Sequence, residues 1–275
     1  MIVVVRRDLL NASPPPDNGG VETHILVGVL VIGAAVGFLS GAFGKGGSAL
    51  STPLLHVLGV PAIVAIASPL PATIPAALFA GRRYAGAGHL DRRVLRIGLL
   101  LGLPLTALGA FLTRWVSGEP LVLATDMIIL VLGVRVLIGA SSTPEPVADD
   151  AVDESAPPRL RTVLVVGGAA LVSGLLGNSG GFLLAPLFMS VLHMPARRAF
   201  GTSLALAAAL AVPGTLVHAW LGHIDWSLSL VLGLASVPFA TLGATMALRV
   251  RERSLTFAYG IGISMLAGGL LTIAR

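Results

Sequence analysis

Ten apolar stretches divide the chain: 22–43, 48–59, 62–81, 94–113 and 120–139, then 161–177, 182–194, 199–220, 227–247 and 255–274. Their apolar character is continuous rather than alternating, which predicts helices and not the strands of a membrane barrel. About twenty helical residues cross a hydrocarbon core ~30 Å thick. Stretches 48–59 and 182–194, at twelve and thirteen residues, reach only ~18–20 Å. Each of these follows a glycine cluster and contains a proline, Pro53 or Pro186. The pattern predicts an all-α polytopic membrane protein with two short, broken helices.

The two sets of five stretches read as one unit written twice. Gly88-His89-Leu90-Asp91 returns as Gly222-His223-Ile224-Asp225, a shift of 134 positions. The same shift lays Pro104 to Ala110 on Pro238 to Ala244, and Pro61 on Pro195. A shift of 133 lays Ser40-Gly41-Ala42-Phe43-Gly44 on Ser173-Gly174-Leu175-Leu176-Gly177, so one single-residue gap reconciles the halves. A duplicated membrane unit with short, Gly/Pro-interrupted segments at matching places is a ground plan of secondary transporters, and those segments mark the binding site.

Composition agrees with the bilayer reading. The chain is 55% hydrophobic and 11% charged, with a mean hydropathy of +0.91, against about 25% charged residues in soluble domains. Of the 18 cations, all but Lys45 are arginines at the ends of apolar stretches, so the net charge of +5 follows the positive-inside rule and implies no nucleic-acid partner. Without cysteine, neither disulfides nor thiolate metal sites are available. The start is no signal peptide, because Arg6-Arg7-Asp8 interrupts the apolar run. Residues 1–21 read as an N-terminal tail, 22–140 as the first repeat, 141–160 as an acidic linker and 161–275 as the second repeat. Clusters at 82–93, 141–161, Arg197-Arg198 and 249–253 share the cytoplasmic side if each half crosses five times. The repeats are then inverted and both termini lie outside, with Arg6 and Arg7 against the rule.

The candidate chemistry lies in the glycine clusters: Gly44, Lys45, Gly46 and Gly47 in one half, and Asn178, Ser179, Gly180 and Gly181 in the other. A glycine turn that opens a helix leaves several N–H groups free at the positive end of the helix dipole, which attracts anions. The competing reading is glycine as a tight-packing residue between membrane helices. Lys45 reads either as a point charge for the anion or as a lysine snorkelling to headgroups. Ser68, Thr202 and Ser203 start long helices, where hydroxyls cap the backbone or donate to an oxyanion. The paired Gly-His-[Leu/Ile]-Asp motifs read as turns in which Asp91 and Asp225 cap the next helix, since one His and one Asp make no metal set. His24, His56, His193 and His218 read as isolated, interfacial or packed histidines. Asp126 and Arg135 read as interfacial rather than as a buried relay.

These clusters, with Pro53 and Pro186 and with Arg198-Ala199-Phe200-Gly201-Thr202-Ser203-Leu204, resemble the signature of the TauE/SafE sulfite-exporter family. The similarity covers roughly residues 25–275. The first half departs from the pattern, with Ala67-Ser68-Pro69 where Gly-Thr-Ser is usual. The resemblance implies a plasma-membrane permease for sulfite, thiosulfate, organosulfonate or another small organic anion, with no bound cofactor and no ATPase. The residues agree on the last point, since no complete Gly-x-x-x-x-Gly-Lys-[Ser/Thr] loop is present. The expected function is an alternating-access carrier with a small anionic substrate and the lipid bilayer as its partners. A membrane-embedded enzyme and a non-transporting subunit are the rivals, and neither paired acids nor a Gly-x-Ser-x-Gly or His-Glu-x-x-His motif supports the enzyme.

Overall fold

The computed structural model describes residues 19–44, 47–116, 118–125, 127–128, 131, 159–251 and 254–255. Lys45, Gly46, Asp126, Arg135, most of stretch 120–139, the acidic linker to residue 158 and stretch 255–274 beyond its first residue lie outside them. The described elements are all helical: α1 Gly19–Phe43, α2 Ser48–Val57, α3 Ala62–Ala67, α4 Pro69–Gly86, α5 Arg92–Leu112, a 3-10 turn Thr113–Trp115, α6 Arg159–Leu175, α7 Gly181–Ser190, α8 Ala196–Trp220 and α9 Trp226–Arg249. Five spans among them are long and apolar enough to cross a membrane: Leu26–Phe43, Ala62–Gly86, Arg92–Trp115, Ala196–Trp220 and Trp226–Arg249. The two short stretches are short helices, α2 and α7, of 10 residues each. At ~1.5 Å per residue each covers only about half a hydrocarbon core.

One expectation is refined at Ser68. The second-half stretch forms a continuous helix, α8, whereas the first-half stretch breaks between α3 and α4 at Ser68. Pro69 and Pro71 cause this, because neither can donate the backbone bond that would carry the helix through. At this break the Ser68 carbonyl also accepts from the Ser229 hydroxyl at 2.6 Å.

The helices meet by backbone approach. A Cβ on Gly41 would strike the Ala240 carbonyl, and one on Gly174 would strike that of Thr106. Likewise Gly243 lies against Phe38 and Gly109 against Leu171. Each of these pairs maps onto the other under the 133/134 shift. α1 therefore packs on α9 and α6 packs on α5, each helix on one from the opposite half. Gly33, Gly37 and Gly41 meet α9 near residues 232, 236 and 240 in order, so α1 and α9 run parallel. By the same test α8 runs parallel to α5, with Gly98 at Leu206 and Gly102 at Leu210. In contrast, Leu70 meets Gly214 and Leu204 meets Gly81, so α4 and α8, counterparts under the shift, run antiparallel.

These senses gather the arginine-bearing ends. The C-terminus of α4 with Arg82 and Arg83, the starts of α5, α6 and α8, and the end of α9 share one end of the bundle. There the Arg197 guanidinium donates to the Val250 carbonyl at 2.6 Å. The opposite end receives the starts of α1 and α9 and the ends of α5 and α8.

A side chain at a backbone contact forces the helices apart and costs about 1–3 kcal/mol or more. Gly41→Val and Gly174→Val are expected to lower the unfolding midpoint of the detergent-solubilised protein. Gly86→Ala, where a Cβ meets nothing within 4 Å, is expected to leave the midpoint unchanged or raise it by the equivalent of about 0.4–1 kcal/mol.

Candidate functional site

α1 and α6 each end in a glycine turn in the left-handed region, Gly44 at φ 67° and Gly177 at φ 61°. Few side chains tolerate that conformation, and it turns the chain back into the bundle. Gly44 packs on Phe200, and Gly177 packs on Ile66, positions again related by the shift. From these turns α2 and α7 start beside each other. The Ser48 hydroxyl donates to the Ser179 hydroxyl at 3.2 Å and accepts the Ser179 N–H at 3.0 Å. The chain after α2 re-enters at Pro61, at the arginine-poor end. The chain after α7 re-enters at Pro195, at the arginine-rich end. The two short helices thus leave a shared starting point toward opposite ends of the bundle.

Around that point sit polar side chains without partners. Asn178 is 1% exposed, and neither its amide nitrogen nor its oxygen has a hydrogen-bond partner among the described residues. The same holds for the buried hydroxyls of Ser40 and Ser173. Ser173 Oγ lies 3.3 Å from the Cβ position of Gly180, the residue directly before α7. Its counterpart Ser40 lines a cavity of about 20 Å³ together with Gly47, Ser51, Thr73 and Ser236. A helix start leaves its first amides without an intrahelical acceptor, although in α7 the Leu183 N–H already reaches the Gly180 carbonyl at 3.0 Å. Gly180, at φ 82°, opens α7 without a side-chain cap.

The other hydroxyl candidates hold the protein together. Ser203 donates to the Gly44 carbonyl at 2.7 Å, with that of Phe200 at 3.0 Å. Thr202 accepts the Asp91 N–H at 2.9 Å, and its counterpart Ser68 accepts the Asp225 N–H at 3.0 Å. The Ser68 side chain makes no cap to its own helix. It tethers the start of α9, as Thr202 tethers that of α5. Asp91 caps α5 through the Arg93 and Val94 amides, and Asp225 caps α9 through that of Leu228.

Two histidine readings need correction. His218 is not isolated. It is fully buried and its Nδ1 lies 3.1 Å from Nδ1 of His223, a contact invisible in the sequence because helix end and turn bring i and i+5 together. His56 sits near the surface, with Nδ1 on the Val60 carbonyl at 3.3 Å and Nε2 3.6 Å from Glu119. Sequence reasoning passed over Ser40, Ser173 and Ser48 as site residues. The signal was present, since Ser40 and Ser173 open the repeated Ser-Gly motif.

The family model for the sulfite exporter TauE/SafE matches residues 29–270. The chain belongs to the TauE/SafE family. It is a multi-pass membrane transporter, not an enzyme. It is 29% identical over 248 residues to a probable membrane transporter protein of Xylella fastidiosa (strain 9a5c), covering 88% of this chain and 93% of that one. It is 27% identical over 250 residues to the probable membrane transporter protein YjnA of Bacillus subtilis (strain 168), covering 84% and 94%. No solved structure matches.

In this TauE/SafE protein, Ser203→Ala strands the buried Gly44 carbonyl and Thr202→Val strands the Asp91 amide. A lost buried partner costs about 1–3 kcal/mol. Both variants are expected to unfold earlier in thermal denaturation, whether or not an anion is added.

Proposed function

We propose that this protein is an alternating-access carrier for a small sulfur-containing anion of the sulfite, thiosulfate or organosulfonate class. The anion binds where α2 and α7 begin. The observation that carries the reading is the meeting of two uncapped helix starts at Ser48 and Ser179, with the Asn178 amide and the Ser40 and Ser173 hydroxyls buried beside them and without a partner among the described residues. Unpaired buried dipoles are costly unless a ligand completes them, and helix starts favour negative charge. The donors come from Asn178, Ser179 and the amides around Gly47, Gly180 and Gly181. Gly44 shapes the first turn. Ser68, Thr202 and Ser203 hold the flanking helices in register instead of touching the anion.

The cavity of about 20 Å³ on the Ser40 and Gly47 side of the site has room for about one water, so an oxyanion enters there only when the surrounding helices move apart. Counterpart helices that run antiparallel suit this step, because an inverted pair of halves opens to either side by the same motion mirrored. Positive-inside bias makes the arginine-rich end cytoplasmic.

The test is uptake of labelled sulfite by protein reconstituted in liposomes. Hydrogen bonds to a charged group contribute about 1.5–3 kcal/mol, so Asn178→Leu is expected to cut flux about tenfold or more. Its thermal stability is expected to hold or rise, because the atoms removed had no partners. Unchanged flux in Asn178→Leu overturns the site. Flux of other small anions but not of sulfite overturns the substrate class alone.

A further inference from the structure

The repeat places Tyr84 and His89 in one half where His218 and His223 stand in the other. Tyr84 is a structural tie: its hydroxyl donates to the Ala42 carbonyl at 3.0 Å, with that of Gly41 at 3.3 Å. His218 occupies the matching place beside the end of α6, yet its Nε2 is buried and has no partner among the described residues. That nitrogen lies 3.5 Å from the Cβ position of Gly177, the residue directly before Asn178. On the far side of its ring, Nδ1 meets Nδ1 of His223, which is partly exposed at the arginine-poor end. The imidazoles thus form a short chain from the bundle surface to the turn that carries Asn178.

Two Nδ1 atoms at 3.1 Å need one hydrogen between them, on either ring. A second hydrogen there sets two donors head to head, so the pair has a place for one added proton, on the free Nε2, and none for another. A proton arriving on His223 Nε2 releases the Nδ1 hydrogen across the bond to His218 Nδ1. His218 Nε2 keeps its hydrogen beside Gly177 while the pair carries one positive charge. Giving that hydrogen to water admitted when the helix starts separate returns the pair to neutral, with one hydrogen again between the two Nδ1 atoms.

Neighbouring elements leave this arrangement undisturbed. Gly177 and Ile66 bring only apolar or backbone atoms. The Asp225 carboxylate is committed to the Leu228 amide. The Arg114 guanidinium lies over the Phe111 and Trp115 rings, and Phe111 stacks on Trp220. His56 is paired with Glu119. Burial holds His223 below the ordinary imidazole value of 6.5, so it is neutral at neutral pH and takes a proton only when the pH at that end falls.

We propose that His218 and His223 are a proton-binding pair, loaded from the arginine-poor end, whose positive charge beside the Gly177–Asn178 turn couples proton movement to anion movement. The inference rests on the transport reading above. The site itself is tested without transport, by nitrogen-15 histidine NMR of the full-length protein in nanodiscs, with ring signals assigned through His218→Gln and His223→Gln. The pair is expected to take up a single proton, both rings responding together. Two rings titrating independently, or a His218 that never responds, overturns the pair.

Coupling is tested in liposomes. With one proton per anion, each pH unit imposed across the membrane drives about tenfold accumulation of labelled sulfite. His218→Gln and His223→Gln are expected to lose that response and keep gradient-free sulfite exchange. Sulfite flux that ignores the gradient in the unaltered protein, or still follows it in both variants, overturns the coupling while the carrier reading stands. No flux of any anion sinks the carrier reading, and the coupling with it.

Discussion

Backbone touching backbone across the two halves is the constraint on which this structure depends. Lipid tails are as apolar as leucine, so exclusion from water does not drive membrane helices together. Close packing must do so, and it needs small residues. Gly41 on Ala240 and Gly174 on Thr106 bring the main chains into direct contact, and the glycine rows of α1 and α9 continue it. Once those helices are locked, the ends of α1 and α6 have nowhere to go but back into the bundle. The left-handed glycines at 44 and 177 allow that reversal. The close packing and the broken helices are therefore one arrangement seen at two levels.

The polar inventory of the interior divides into two sets by the same geometry. Thr202, Ser68, Ser203 and Tyr84 each satisfy a backbone group that a helix end leaves open. Asn178, Ser40 and Ser173 satisfy nothing among the described residues. In an apolar interior that difference is chemically informative, because an unpaired dipole is tolerated only where something else completes it at some point in the working cycle.

Much of the architecture was legible in the chain because its signals are physical requirements. Continuous apolar runs must be helices in lipid, and the short stretches at 48–59 and 182–194 became α2 and α7 within a few residues. The duplicated Gly-His-x-Asp motif marked the turns, and its aspartates cap the helices after them. Two things stayed hidden. Hydroxyls at Ser68, Thr202 and Ser203 looked like ligand groups because their partners, Asp225, Asp91 and Gly44, are far away in sequence and known only after folding. The His218–His223 contact also depends on how a helix end and its turn close, which no periodicity encodes. Ser40 and Ser173, by contrast, stood in plain view and were read only as marks of duplication.

The exchange of partners between halves bears on how the protein is made. α1 leaves the ribosome early, yet its glycine face is completed only by α9, roughly two hundred residues later by sequence position. α5 must likewise wait for α6. Neither half possesses a finished interior by itself, so the first must linger in the bilayer with its small-residue seam unfilled. A gene split at the acidic linker would yield two polypeptides that are each incomplete until they find one another.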